Sequence, residues 1–231
     1  MPSRLKRFHE SGQTHFLTFS CYQRHPQFAE PAARGIFERA LERVRLSFGL
    51  HVYGYVVMPE HVHLLISEPD GAPFKPASGL SGGESKPDGA PFKPSSGLSG
   101  EKTPRSLADA IKSLKQGVSR RLISNGAPFK PAFGLSGDGT RHFWQKRYYD
   151  FNVRDHPQFM EKLRYIHRNP VKRGLCESPE EWKWSSFLHY ATGIEGRVEI
   201  ESEWVSRKRE RAEGKLCPPV ELPPHSSQKQ A

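Results

Sequence analysis

The sequence contains few cysteines and no long apolar segment. Its three cysteines, Cys21, Cys176 and Cys217, are dispersed and show no paired ligand spacing. That pattern argues against a disulfide framework and against a structural zinc knuckle. No apolar run approaches the ~18–20 residues needed to cross a bilayer, and the first residues do not form a hydrophobic signal segment. We therefore expect a cytoplasmic protein that has no membrane partner.

Apolar residues and acidic residues are both in short supply. Apolar residues make up 35% of the 231 residues, so part of the chain lies outside any core. Lys and Arg number 35 against 25 Asp and Glu, which gives a formal net charge of +10. Such a balance favours a polyanionic partner, although a basic protein without one can have the same composition. The length allows one medium domain with tails, or two small domains.

An internal repeat explains much of the polar composition. The motif Gly-Ala-Pro-Phe-Lys-Pro-x-x-Gly-Leu-Ser-Gly occurs at 71–82, 89–100 and 126–137. Each copy has few apolar residues amid Gly, Pro and Ser, too few for the buried face that a solenoid unit needs. We interpret the copies as flexible inserts that occupy 69–102 and 126–140. A ligand-binding repeat is the alternative.

Outside the repeats, the spacing of apolar residues predicts an ordered series of strands and helices. The order is strand, helix, strand, strand, helix, strand, which matches a ferredoxin-like split βαβ plan, followed by one more helix. We expect an α+β fold with an antiparallel sheet, helices on one face and an additional C-terminal helix. The predicted strands are 15–22, 52–58, 62–67 and 143–153, and the predicted helices are 31–48, 104–123 and 156–169.

The chain is predicted to hold one folded domain and a tail. Residues 1–190 contain all the predicted strands and helices, interrupted by the two inserts. Residues 191–231 are polar and become rich in proline towards the end. Such a segment buries too little apolar surface to fold, so we expect it to be disordered.

Two histidines lie in the apolar run at 56–66. Side chains alternate between the two faces of a strand, so His61 and His63 point the same way while Val62 points the other way. Two imidazoles on one face can bind a metal ion. The His-x-His spacing is common by chance, however, and an ordinary polar strand face gives the same pattern.

A tyrosine and an asparagine four residues apart form the second candidate pair. Tyr165 and Asn169 share one face of a predicted helix, which Asp155 and Gln158 open as a capping box and Pro170 ends. The same spacing at 148–152 falls in a predicted strand, where four residues span ~13 Å. Two imidazoles and an amide oxygen beside a tyrosine hydroxyl suggest attack on a phosphodiester. A core aromatic and a helix stop are the alternatives for the two residues.

Three ordered motifs resemble those of the REP-associated tyrosine transposases, which belong to the HUH single-tyrosine superfamily. They are Met-Pro-Glu-His-Val-His-Leu-Leu at 58–65, Phe-Trp-Gln-Lys-Arg-Tyr-Tyr-Asp at 143–150, and the segment Arg-Tyr-Ile-His-Arg-Asn-Pro-Val-Lys-Arg-Gly-Leu at 164–175. The resemblance covers roughly residues 4–190 outside the repeats. The repeats are the departure from the family pattern, and they flank the helix predicted at 104–123.

The resemblance implies cleavage and rejoining of single-stranded DNA through a 5′-phosphotyrosine. It implies that Tyr165 is the nucleophile and that His61, His63 and Asn169 are the metal ligands. Family substrates are repeats that fold as hairpins, so the expected activity is that of a transposase and DNA strand transferase. The ligand set favours Mg²⁺ or Mn²⁺, with zinc left open. A homodimer and association with the nucleoid are further expectations.

Eight basic residues are candidates for DNA contacts because they lie near the motifs or on the middle predicted helix. A solvated helix face explains any one of them equally well. Two functional alternatives also stay open: a nucleic-acid-binding module that has lost cleavage, and a metal phosphodiesterase that uses water. The eight candidates are Lys112, Lys115, Arg120, Arg121, Lys146, Arg147, Lys172 and Arg173.

Overall fold

The computed structural model describes residues 14–69, 106–124, 134–135 and 141–212. Within these residues, four strands form the sheet against which the helices pack. The strand order is β2-β3-β1-β6, and every neighbouring pair is antiparallel. β1 and β2 therefore run in the same direction with β3 between them, and the ferredoxin-like prediction is confirmed. The strands are β1 (Thr14–Ser20), β2 (His51–Val57), β3 (His61–Ser67), the separate pair β4 (Gly134–Leu135) and β5 (Arg141–His142), and β6 (Tyr149–Val153).

Helices cover both faces of this sheet. α1 and α2 pack against each other and bury one face, while α3 packs on the opposite face. The helices are α1 (Pro31–Phe48), α2 (Leu107–Ser124), α3 (His156–Lys172), α4 (Phe187–Thr192) and α5 (Glu203–Ala212). No described helix is long and apolar enough to cross a membrane.

The alternation along β3 decides what each face contains. Val62, Leu64 and Ile66 are fully buried in the core under α1 and α2. His61 and His63 point to the other face, which α3 covers. Because successive strand residues point to opposite sides, one short segment supplies both the core and the polar residues beside α3.

The aromatic segment before β6 is not a strand along its whole predicted length. The prediction placed a strand at 143–153, whereas regular pairing begins only at Tyr149. Phe143 and Trp144 pack against Phe28 instead, and the Trp144 indole N–H donates to the Lys115 carbonyl. The aromatic residues of this segment fill the core from an irregular backbone, which β propensity alone does not distinguish from a strand.

Helix α3 continues past the predicted stop at Asn169-Pro170. It ends at Lys172, with Pro170 inside the last turn. A proline costs a helix one backbone hydrogen bond, and near the end that loss is small. The Arg173 N–H donates to the Asn169 and Pro170 carbonyls and closes the helix. At the other end the predicted cap residue is confirmed, because Asp155 accepts from the Gln158 N–H. The Gln158 side chain accepts from the Arg154 N–H, one residue before the position that a capping box requires.

The chain divides into two units, residues 1–200 and 201–231. The first unit extends beyond the boundary predicted at 190 because Val198 and Ile200 are buried in its core. The second unit contains α5, with an ion pair between Arg207 and Glu203, so its described part is helical where we expected disorder. The predicted inserts span 69–102 and 126–140, and apart from residues 69 and 134–135 they lie outside the described residues.

A glycine beside a bulge in β2 lets α3 approach the sheet closely. Tyr53 is the extra residue, since the register moves from Val52 to Gly54 between consecutive β3 partners. A Cβ atom on Gly54 would lie 2.7 Å from Leu163 Cδ1 and 3.4 Å from Ser186 Oγ. Leu163 is buried, so its methyl group has little room to move. Glycine at this position therefore sets how near α3 can come.

We expect Gly54→Ala to lower the free energy of unfolding by about 1–3 kcal/mol, because the added methyl group overpacks the interface with α3. Urea denaturation of the purified protein measures the change. Gly117→Ala is the matched control: its Cβ would lie 3.7 Å from Arg121 Nη1, inside α2. That substitution should stabilise the protein by up to about 1 kcal/mol. Equal stabilisation by both substitutions would contradict the close approach.

Candidate active site

The two β3 histidines meet at their Nε2 atoms. His61 Nε2 and His63 Nε2 are 3.0 Å apart, and the rings lie edge to face with centroids separated by 4.6 Å. Both side chains are buried, at 5% and 4% exposure. The shared strand face predicted from their spacing is confirmed. Their ring nitrogens are directed to one point rather than spread along the strand.

Helix α3 brings a third polar group to the same point. Asn169 Nδ2 lies 3.0 Å from His63 Nε2, and Asn169 is 5% exposed. Turning the carboxamide by 180° exchanges its nitrogen and oxygen, so the same position can present a carbonyl oxygen. The predicted pair of histidines and the predicted amide are therefore adjacent, although 106 residues separate His63 from Asn169.

The imidazoles are oriented by contacts at their other ring nitrogens. Thr18 Oγ1 lies 2.7 Å from His63 Nδ1, across the β1–β3 pair. When Nδ1 carries the proton and donates it to the hydroxyl, the Nε2 lone pair is free for a ligand. His61 Nδ1 lies 3.2 Å from Glu60 Oε1.

Glu60 links the histidine strand to the end of α3. Its carboxylate forms an ion pair with Arg173, the residue that follows α3, and lies 3.9 Å from Arg24 Nη1. Glu60 is only 9% exposed, so a partner for its charge is required. The ion pair therefore connects the loop before β3 to the helix that carries Tyr165 and Asn169.

Burial keeps both imidazoles neutral. Removal from water, together with smaller contributions from the neighbouring His61, Arg173 and Arg24, lowers the pKa of His63 to about 3. Burial also lowers the pKa of His61, while the Glu60 carboxylate opposes that change. A histidine must be neutral to donate an electron pair to a metal, so both residues are in the required protonation state near pH 7.

Tyr165 stands at the mouth of a cleft whose floor is formed by the histidines. Its side chain is 40% exposed, and its ring centroid lies 5.1 Å from that of His63. The buried Phe16 ring supports it edge-on at 5.9 Å. The cleft has a volume of about 460 Å³. An exposed hydroxyl-bearing ring beside a buried polar cluster can reach a group held by that cluster.

The cleft lining is strongly cationic. Arg24, Lys162, Lys172 and Arg173 all contribute to it. Lys172 Nζ lies 5.9 Å from the centre of the Tyr165 ring. A recess lined by one sign of charge concentrates oppositely charged ligands, so this cleft suits a phosphate group.

Only two of the eight basic residues predicted to contact DNA line the cleft, namely Lys172 and Arg173. Lys115 is turned inwards: its Nζ donates to the Gln145 carbonyl at 3.0 Å and lies 5.9 Å from the Trp144 ring. Its ammonium group thus takes part in packing. The other five, outside the lining, are Lys112, Arg120, Arg121, Lys146 and Arg147.

The sequence predictions missed five residues that line the cleft, namely Phe16, Thr18, Arg24, Tyr149 and Lys162. Lys162 precedes Tyr165 by three residues, so helical spacing could have placed it on the same face. Thr18 faces His63 only through the β1–β3 register, which no spacing in the sequence reveals. Arg24 belongs to a 3-10 turn after β1 and has a positive φ of 55°.

Among the described residues, no group of three His, Cys, Asp or Glu side chains could hold a metal ion. The candidate donor set therefore consists of two histidines and one amide.

Buried polar contacts hold α3 against the sheet. The His167 ring nitrogen Nε2 lies 2.9 Å from Ser186 Oγ, which accepts from the Tyr55 N–H in β2. These bonds fix the helix against the sheet at His167, two residues from both Tyr165 and Asn169.

Comparisons with known proteins point to one group. No family model matches the chain. A Haemophilus influenzae protein provisionally named a REP-associated tyrosine transposase is 41% identical over 44 residues, 19% of this chain and 25% of that protein. The match thus spans a quarter of that relative's length. The REP-associated tyrosine transposase of Escherichia coli is 20% identical over 185 residues, 80% of this chain and 82% of its own.

A solved structure shares the fold. It is a REP-associated tyrosine transposase bound to a REP hairpin, and it superposes with a TM-score of 0.54 at 18% identity. The match covers 87% of this chain and 92% of that chain. The resemblance first drawn from the sequence motifs is thereby confirmed: the chain is similar to the REP-associated tyrosine transposases in sequence and in fold.

Proposed function

We propose that the protein is a metal-dependent DNA strand transferase that cleaves single-stranded DNA at hairpin-forming repeats through a 5′-phosphotyrosine. One observation carries the proposal. His63 of β3 lies 3.0 Å from both His61, on the same strand, and Asn169 of α3. These three side chains form the floor of a cationic cleft beside the exposed Tyr165. All of these residues belong to the unit that spans residues 1–200.

The donor set suits a divalent cation. His61 and His63 would supply two neutral imidazole nitrogens, and the Asn169 carboxamide, turned to present its oxygen, would supply a third donor. Mg²⁺ and Mn²⁺ take oxygen ligands and fit such a set, while imidazoles also suit zinc. A bound ion of this kind would neutralise phosphate oxygens and make the phosphorus more electrophilic.

Tyr165 supplies the nucleophile in this proposal. Its hydroxyl oxygen forms a bond to the scissile phosphorus as the bond from phosphorus to the 3′ oxygen breaks. The phenol loses one proton and the departing 3′ oxygen gains one, so the step is balanced without a further reactant. The product is a tyrosine ester of the 5′ phosphate. Attack on that ester by another 3′ hydroxyl reverses the step and joins two strands without ATP.

The partner we propose is a DNA hairpin with an unpaired flank. A protein holds single-stranded DNA through its phosphates and therefore needs positive charge along the binding cleft. This charge is supplied by Arg24, Lys162, Lys172 and Arg173. An unpaired strand can bend to present one phosphate to the recessed His61 and His63. The related solved protein bound a REP hairpin, and that likeness supports the same class of substrate for this chain.

Tyr165→Phe should abolish formation of a covalent protein–DNA adduct, because the substitution removes the attacking oxygen. The wild-type protein and the variant are incubated with labelled hairpin oligonucleotides from the repeats of its own genome and with Mn²⁺. Denaturing gels then show whether a protease-sensitive labelled adduct forms. We expect the adduct with the wild type only.

Tyr148→Phe provides the matched control for this assay. Tyr148 also precedes an asparagine by four residues, but its ring packs against Phe19 in the core under α1 and α2. Its adduct yield should equal that of the wild type. Cleavage without an adduct in both wild type and Tyr165→Phe would instead support a phosphodiesterase that uses water. Binding with neither product would support the DNA-binding module that has lost cleavage.

His61→Ala and Asn169→Ala should each weaken Mn²⁺ binding at least about tenfold, since each removes one proposed ligand. Thr18→Val should weaken it about 10–100-fold by releasing the His63 ring. Electron paramagnetic resonance of free Mn²⁺ measures the affinity without any DNA. His142→Ala is the control, because His142 is exposed and outside the cleft lining. Unchanged affinity in all three variants would sink the metal assignment.

A further inference from the structure

Two exposed aromatic side chains share the cleft. Among the described residues of the unit 1–200, the exposed large hydrophobic side chains that are aromatic are Tyr149, at 49%, and Tyr165, at 40%. Both line the cleft above the histidines. The proposed chemistry uses Tyr165 and gives Tyr149 no part. An exposed ring in a cleft lined by cations can stack on an unpaired base that enters the cleft.

The sheet register places Tyr149 on the same face as the candidate ligands. It begins β6 and pairs with Thr18 of β1, which itself pairs with His63 of β3. Residues aligned across neighbouring strands point to the same side, so the Tyr149 ring lies on the face that carries His63. Tyr149 and the scissile phosphate would therefore occupy one side of the sheet.

Phe16 connects the two exposed rings. Its buried ring lies 6.4 Å from that of Tyr149 at an interplanar angle of 71°, and 5.9 Å from that of Tyr165 at 81°. Edge-to-face contacts of this kind fix the orientation of both exposed rings. Lys162 Nζ lies 5.8 Å from the centre of the Phe16 ring and also lines the cleft. The result is a held aromatic surface beside a positive charge.

We propose that Tyr149 is the platform on which the unpaired nucleobase beside the scissile phosphate stacks. The inference rests on the proposed function, because it takes single-stranded DNA as the ligand. Aromatic side chains bind unpaired bases by stacking, and neighbouring cations hold the adjoining phosphates. Tyr149 supplies the ring, while Lys162 and Lys172 supply charge along the same cleft. The stacked base fixes which phosphate faces Tyr165.

The test measures binding, so that it does not depend on cleavage. All variants carry Tyr165→Phe, and fluorescence anisotropy gives their affinity for a labelled hairpin with an unpaired flank. Tyr149→Ala should weaken binding about 5- to 150-fold, the range for loss of one base stack. Tyr149→Phe should bind as the parent does, because the ring remains. Leu46→Ala, which removes an exposed apolar side chain of α1 outside the cleft, should change nothing.

An abasic nucleotide scanned through the flank identifies the stacked base. At one position the abasic nucleotide should weaken DNA binding by the Tyr165→Phe protein by the same factor as Tyr149→Ala does. The same abasic DNA should cause no further loss of affinity in the protein that also carries Tyr149→Ala. Thermal unfolding of each variant shows that the fold is kept. Unchanged affinity of Tyr149→Ala, or equal additional losses with abasic DNA at every position, would overturn the proposal. Failure of the proposed cleavage chemistry appears separately, as absence of the covalent adduct from protein with Tyr165 and Tyr149 intact.

Discussion

The approach of α3 to β3 is the constraint on which the candidate site depends. It closes the 3.0 Å contact between Asn169 and His63, residues that are 106 positions apart in the chain. β3 supplies only the two histidines of the donor set, and α3 supplies only the amide. The approach is maintained by apolar packing of Leu163 and Ile166 on the sheet, and the absence of a side chain at Gly54 makes room for it. The geometry proposed for metal binding is thus a result of core packing.

Polar contacts then fix the orientation of the groups that packing brings together. Thr18 determines which His63 nitrogen faces the cleft, and the ion pair between Glu60 and Arg173 joins the loop before β3 to the end of α3. Such partners are costly to bury unless each is satisfied, so they hold one arrangement more strictly than apolar contacts do. Burial of the histidines serves the same end, because it keeps the imidazoles neutral and available as ligands.

The spacing of residues along the sequence predicted the features that depend on a single strand or helix. It was insufficient for contacts between two strands or between a strand and a helix. Strand alternation placed His61 and His63 on one face, and helical spacing paired Tyr165 with Asn169. The end of α3 was predicted too early because proline destabilises the last turn of a helix only slightly. The pairing of Thr18 with His63 depends on the β1–β3 register, which sequence spacing does not encode. Exposure of Tyr149 likewise depends on what packs around it, since its neighbour Tyr148 is half-buried on the other face.

The position of the repeats in the chain explains how such inserts are compatible with this site. They fall between β3 and α2 and between α2 and β6, so they flank the helix on the sheet face opposite α3. No residue of α2 lines the described cleft. The described contacts among β1, β3 and α3 form the site, so its geometry does not rest on the helix that the repeats flank.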